Sequence, residues 1–355
     1  MDAFSQNHYV LKFSSTSVAH QLKSKIFVVT TIGLALWGAY LSLATGTIPT
    51  KLVDVYHAVI GYAPNDPLHF AILQLRIPRL FMAFLVGAAL ALSGYLMQIL
   101  VNNPLADPYI LGTSGGAALG VNLGLAGLLP LWIGSFYIPP LYAIVGAAGI
   151  TSAVFFMAKS RSGLHAAKLL LSGVFLSMLT TALVGLLEFM AIKQGMTATV
   201  LFWTMGSLEK TSWTGLAWLS AVLLPSIGLF SMYHHRFILL MLGDEKTRNF
   251  GIEPAQLRTW LLFGAAMLTG LTVAFCGAIG FIGLVIPHVV RQFCGVTNSR
   301  NILYCVVLGG AFLTWSDVLA RTLYPPAGLP VGIVTALVGI PFFLYLLAKN
   351  AKTFS

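Results

Sequence analysis

Apolar runs of 18 to 25 residues recur along this chain, separated by short polar breaks. Each run is long enough to cross the roughly 30 Å hydrocarbon core of a bilayer as a helix. No backbone polar group can be left unpaired in lipid, so only helices or closed barrels can cross it. Barrel strands would show ~10-residue segments of alternating polarity, and these runs do not alternate. The composition agrees, because the 355 residues are 57% hydrophobic and 8% charged, whereas soluble domains are about a quarter charged. The expected fold class is an all-α polytopic membrane protein with about ten transmembrane helices in one bundle. The spans are placed at 26–46, 79–100, 109–128, 138–158, 168–190, 213–233, 259–276, 279–295, 302–320 and 329–348. The first run follows a 25-residue segment and precedes nine more spans, so it is a true span rather than a signal peptide. No linker or low-complexity tract divides the chain. Residues 1–355 are therefore expected to form a single transmembrane domain, with 1–25 as a cytoplasmic segment.

An even number of spans puts both termini on one side. With the N-terminus inside, the cytoplasmic segments hold 14 of the 20 Lys and Arg residues (12, 23, 25, 159, 161, 168, 236, 246, 248, 258, 291, 300, 349 and 352). The outer segments hold the other six, Lys51, Arg76, Arg79, Lys193, Lys210 and Arg321. This bias fits a cytoplasmic N-terminus and C-terminus. The net charge of +10 is spread over many loops without interleaved aromatics, so no nucleic-acid partner is expected. Cys276, Cys294 and Cys305 lie in apolar stretches without metal-ligand spacing and are expected to be small core residues.

Residues 76–120 concentrate charge, helix breakers and repeated glycine. Arg76 and Arg79 sit at the outer end of the second span and Arg321 at the outer end of the ninth. Such arginines can simply snorkel to headgroups, or they can present forked donors to the carboxylates of a docking protein. Asp317 and Arg321 are i,i+4 with the acid first, the spacing of a helical ion pair. Gly112, Gly116, Gly120 and Gly124 repeat every fourth residue and would share one helix face. That face suits close helix packing or the lining of a pathway, with Ser114 beside it. In Asn102–Pro108, two prolines end one helix and start another, and Asp107 stands where it can cap the next.

The longest inner loop, 234–258, is not a plain tether. Asp244 can cap a short helix running to Phe250, Gly251 can end it, and Glu253-Pro254 can start another. Two short amphipathic helices would make a rigid knob for a partner. In 277–295, Pro287 would kink the span, and His288 is followed one turn later by Arg291. Glu188 and Asp317 are the other intramembrane ionisable residues. No G-x-x-x-x-G-K-[ST] is present, so ATP binding through a P-loop is not expected. Gly112-Thr113-Ser114-Gly115 with His288 outlines an alternative, an intramembrane serine protease using a Ser114–His288 dyad. A self-sufficient secondary carrier is a third class.

Together these stretches resemble the permease subunits of the iron-chelate and cobalamin (type II) ABC importer family, over nearly the whole chain. The resemblance rests on R-I-P-R at 76–79, GAALALSG at 87–94 and the Q-x-L-x-x-NPLA-x-P-x-x-LG run at 98–112. It continues in the small-residue run that follows, LGDEKTRNFGI at 242–252, GFIGLVIPHVVR at 280–291, D-x-x-A-R at 317–321 and GLPVGIVTALVGIPFF at 328–343. The sequence departs from the family at 296–300, where members often carry Asp-His-Arg, and at Thr247, where a small residue is common. The resemblance implies ten helices per subunit and a permease rather than an enzyme, without a cofactor. It also implies partners: a second permease copy or a paralogue, a pair of ATP-binding cassette ATPases, and a periplasmic or lipid-anchored substrate-binding protein. Carried over by position, Arg76, Arg79 and Arg321 would receive the binding protein. Gly243, Asp244, Glu245, Arg248, Gly251, Ile252 and Glu253 would seat in the ATPase, making 234–258 the coupling loop. The expected cargo is an iron-siderophore complex carried across the inner membrane by alternating access, with haem or cobalamin as alternatives.

Overall fold

The computed structural model describes the backbone of residues 3–46, 49–63, 65–133, 136–160, 163–164, 166–192, 205–325 and 328–351. Arg161, Lys193 and Lys352 lie outside the described residues, as do the side chains of Lys12 and Lys349. The apolar runs are helices. In chain order these are α1 (Ala3–Ala44), α2 (Leu52–Ile60), α3 (Pro67–Phe70), a π-helical turn (Ala71–Arg76) and α4 (Ile77–Val101). A 3-10 turn (Pro108–Leu111) precedes α5 (Thr113–Leu125), then come α6 (Pro139–Ala158) and α7 (Ala166–Ile192). The chain continues through α8 (Trp213–Met232), α9 (His234–Leu239), α10 (Asp244–Asn249) and α11 (Pro254–Cys276). It ends with α12 (Ile282–Cys294), α13 (Asn301–Leu323) and α14 (Val331–Ala351). Two antiparallel ladders of two-residue strands, Trp132–Ile133 with Phe136–Tyr137 and Lys159–Ser160 with Gly163–Leu164, sit in the loops after α5 and α6.

Among the described residues seven helices are long and apolar enough to cross a membrane. The span that includes α4 is 83% buried, while that of α1 is only 17% buried, so α4 is the centre of the bundle and α1 lies at its edge. The small residues of GAALALSG explain this placement. Gly87 faces the Gly309 carbonyl of α13, and Gly94 faces the backbone of Gly283 at the start of α12. A Cβ at either position would overlap the facing backbone. Lipid tails are as apolar as leucine, so association in a bilayer depends on such close contact. Ser93 adds a hydrogen bond to the Ala265 carbonyl of α11 at 2.8 Å.

The expected spans 109–128 and 279–295 turn out differently. Each holds a helix of only 13 residues, α5 and α12, which is about 20 Å long. The cause is local. Asp107 caps the 3-10 turn by accepting from the Tyr109 N–H at 2.8 Å, and Gly112 (φ 73) breaks the chain again before α5. Gly277 (φ 70) and Phe281 (φ 70) interrupt the chain between α11 and α12. Pro108 packs on Gly283, which faces Gly94, seven residues before the end of α4. The N-terminal ends of α5 and α12 thus start roughly 10 Å inside the end of α4. Irregular backbone at this depth must be satisfied by protein. The Tyr109 hydroxyl does so, donating to the Ile279 carbonyl at 2.9 Å and accepting from the Ile279 N–H at 3.1 Å.

The 234–258 loop is also revised. It holds α9, a 3-10 turn (Leu240–Leu242) and α10, and Pro254 opens the long α11 directly rather than a second short helix. The three cysteines are free and buried.

Candidate functional site: the arginine cluster, the elbow and the half-helix cavity

Two of the three arginines, Arg79 and Arg321, pair with one wholly buried carboxylate, Asp317, and Arg76 is a neighbouring charge of Arg321. Arg79 Nη2 donates to Asp317 Oδ1 at 2.8 Å, and Arg79 Nε donates to the same oxygen at 3.0 Å. Arg321 Nε lies 3.1 Å from Asp317 Oδ2. Spacing alone reveals the Arg321–Asp317 pair, but the Arg79 contact joins residues 238 apart and has no local signal. The heads do not simply point outward. Arg321 also donates to the Thr45 carbonyl at 3.2 Å and to Ser42 Oγ at 3.0 Å. Arg76 is buried and donates to the Leu43 carbonyl at 2.8 Å and to Thr50 Oγ1. These carbonyls belong to the last turn of α1 and the residue just past it, so Arg76 and Arg321 cap that helix and complement its dipole. Three guanidiniums and one carboxylate leave the cluster with a net charge of +2.

At the other end of the bundle, α9 and α10 form an elbow. Gly243 (φ 96) precedes α10 and is its N-cap. Asp244 does not cap α10 with its side chain. Its carboxylate instead accepts two hydrogen bonds from Arg258 of α11, at 2.9 and 2.6 Å, because a facing guanidinium offers two donors in the matching geometry. Thr247 is buried, and its hydroxyl lies 2.8 Å from the carbonyls of both Leu239 and Gly243, a use for the larger side chain at this position. Gly251 (φ 73) turns the chain, Ile252 donates to the Thr247 carbonyl, and Arg248 reaches Glu253 at 3.7 Å. Glu245 is exposed, and Leu242 and Phe250 leave apolar surface uncovered at the tip.

Behind the elbow, His234 is fully buried, and its Nε2 lies 2.8 Å from the Tyr95 hydroxyl. Burial, and secondarily His235, lowers its pKa to about 4 from 6.5. The unfolded chain therefore binds the extra proton between those values. Stability is expected to hold above pH 6.5 and to fall as pH drops toward 4. Thermal unfolding of wild type and His234→Gln across this range checks it, with the variant showing the shallower decline.

The glycine ladder is a packing seam. Gly116 meets the Gly146 carbonyl and Gly120 the Tyr142 carbonyl, both on α6. Gly112 is not on the helix face with them. It is the left-handed N-cap of α5, beside Ser177 of α7. Ser114 is in the first turn of α5 and His288 in the second turn of α12, and among the described residues no hydrogen bond joins them. What sequence reading missed is a cavity of about 780 Å³ where the two half-helices start, lined by Asp107, Tyr109, Ser177, Thr181, Phe281 and Leu284. The doubled breaks at 107–112 and 277–281 were its only sequence signal.

Residues 34–349 match the family model described as the FecCD transport family. A hemin transport system permease from Yersinia pestis is 40% identical over 297 residues, covering 81% of this chain and 86% of that protein. A vitamin B12 import system permease from Salmonella typhi is 37% identical over 320 residues, covering 88% and 95%. A solved metal-chelate type ABC transporter, in an inward-facing conformation, superposes with a TM-score of 0.78 at 32% identity, covering 92% of this chain and 99% of that one.

Proposed function

Because the chain belongs to the FecCD transport family, we propose that it is the membrane-spanning permease of an ATP-driven importer and that its cargo is an iron-siderophore complex. The observation that carries this reading is the family match over 34–349, which takes in both the arginine cluster and the elbow. The relatives are permeases, which supports a transporter rather than an enzyme and lends nothing to the Ser114–His288 protease. Haem is the second reading, favoured by the 40% identity to a hemin permease. A 39% identical iron chelatin transport system permease from Helicobacter pylori supports the siderophore.

In this reading two permeases, two copies or two paralogues, pack in the inner membrane with both termini in the cytoplasm. A pair of ATPases takes the elbow, residues Gly243 to Glu253, and a periplasmic or lipid-anchored binding protein docks over Arg76, Arg79 and Arg321. The cluster's net positive charge steers an acidic docking face, an attraction screened over about 10 Å at 0.1 M salt. Closure of the ATPases pushes the elbow, and the Asp244–Arg258 pair passes that push into α11, which packs on the central α4. Asp244→Asn is expected to leave stability within about 1 kcal/mol, since the Asp244 side chain is 41% exposed and pairs of this kind are worth little. Cargo moved per ATP should fall severalfold, measured in proteoliposomes.

Uptake into proteoliposomes holding the permease, its ATPase and its binding protein tests the whole reading, with ferric siderophore, hemin and cobalamin compared. ATP-dependent accumulation of the siderophore is expected. Accumulation of hemin or cobalamin instead would reassign the cargo, and accumulation without the ATPase would point to a self-sufficient carrier.

A further inference from the structure

A second cavity, of about 820 Å³, opens between the first turns of α6 and α8 and the last turns of α11. It is separate from the half-helix cavity, because its described lining includes no residue of α7 or α12. Its depth follows from α4. Gly215 on its wall packs on Met82, one turn from Arg79, so it lies in the leaflet on the side of the arginine cluster. The walls are apolar, with Leu141, Ile144, Trp218 and Phe275 among them. The rim is polar and carries the adjacent pair Glu209 and Lys210. Among the described residues neither of these side chains has an ion-pair partner. Trp132 and Trp218, 58% and 61% exposed, flank the opening as aromatic anchors at a membrane interface do. The exposed apolar side chains of α6, Leu141 and Val145, run from the cavity onto the outer surface of the helix.

We propose that this cavity binds a phospholipid with a zwitterionic ethanolamine headgroup. The acyl chain lies along the apolar walls, the phosphate meets Lys210 and the ammonium meets Glu209. A volume near the upper end of ordinary ligand sites, walled by apolar groups with a few polar ones at one end, suits an amphiphile rather than a wholly polar solute. A headgroup carrying both signs matches a rim carrying both signs, whereas an anionic headgroup would set its net charge against Glu209. The proposal is independent of which cargo the permease carries.

Native mass spectrometry of the delipidated full chain, with phosphatidylethanolamine or phosphatidylglycerol added back, tests it. Wild type is expected to retain one phosphatidylethanolamine and to prefer it to phosphatidylglycerol. Lys210→Glu should weaken retention about tenfold, the effect of one lost contact of about 1.4 kcal/mol. Ile144→Trp, which fills the cavity, should abolish retention, while Leu344→Trp on the exposed face of α14 should leave it unchanged. Lys210 sits at an exposed rim position, so its variant folds even if a filled cavity does not. Absence of bound lipid on wild type, equal retention in Lys210→Glu, or displacement of the lipid by ferric siderophore or hemin would overturn the proposal. Equal retention of phosphatidylglycerol would overturn the headgroup assignment.

Discussion

Asp317→Ala is expected to destabilise the folded permease by about 3–5 kcal/mol, the cost of removing one partner from a buried ion pair. Asp317 is wholly buried and serves two guanidiniums, Arg79 at 2.8 Å and Arg321 at 3.1 Å. Without it, two positive heads face each other in a poorly hydrated pocket. The same carboxylate joins α4 to α13, and Arg321 in turn holds the last turn of α1, so the outer ends of three helices should loosen together. Thermal unfolding in detergent measures the loss, and an unchanged midpoint would refute the structural role. A triple variant, Arg79→Met with Asp317→Leu and Arg321→Met, separates structure from docking. Replacing a buried ionic group by well-packed apolar residues is often close to neutral, so this variant should fold. If the cluster receives a binding protein, the triple variant should nevertheless fail to take up cargo. Reversing the arginines to Glu is a poorer test, because it would crowd acids around Asp317 and unfold the region whatever its role.

Gly94→Leu is the second large effect. Gly94 lies against the backbone of Gly283, so any Cβ there must push α12 away from α4. Overpacking of side chains alone costs about 1–3 kcal/mol, and here the obstacle is backbone, which cannot change rotamer. Displacing α12 would also pull Pro108 off Gly283 and strain the hydrogen bonds between Tyr109 and Ile279. The expected result is loss of monodisperse protein on size-exclusion chromatography. Gly185→Ala is the control, since nothing lies within 4 Å of a Cβ at that position. It should behave as wild type. Equal tolerance of both substitutions would remove α4 from its place as the packing centre.

Much of this architecture is legible in the sequence because its causes are local. Apolar runs mark the long helices, Asp107 and Pro108 mark the start of a turn, and Gly251 marks the end of α10. Where two local solutions compete, reading along the chain fails. Asp244 has the composition of an N-cap, yet Arg258, fourteen residues on, offers a bidentate partner and takes the carboxylate. The i,i+4 rule finds Arg321 for Asp317 but cannot find Arg79. The glycine period of four suggests one continuous face, but Gly112 stands outside α5 in a left-handed turn.

By itself, the sequence established that this chain crosses a membrane as a helical bundle, where most of its long helices lie, and which family it resembles. Those properties follow from hydropathy, chain stiffness and residue order within a few turns. Only the tertiary structure decided that Arg79 and Arg321 share one carboxylate, that the turns preceding the half-helices α5 and α12 meet at Tyr109 and Ile279, and that two cavities with separate linings form among the helices. Each of these depends on which distant backbones approach within van der Waals contact, and that is fixed by the packing of all the helices around α4.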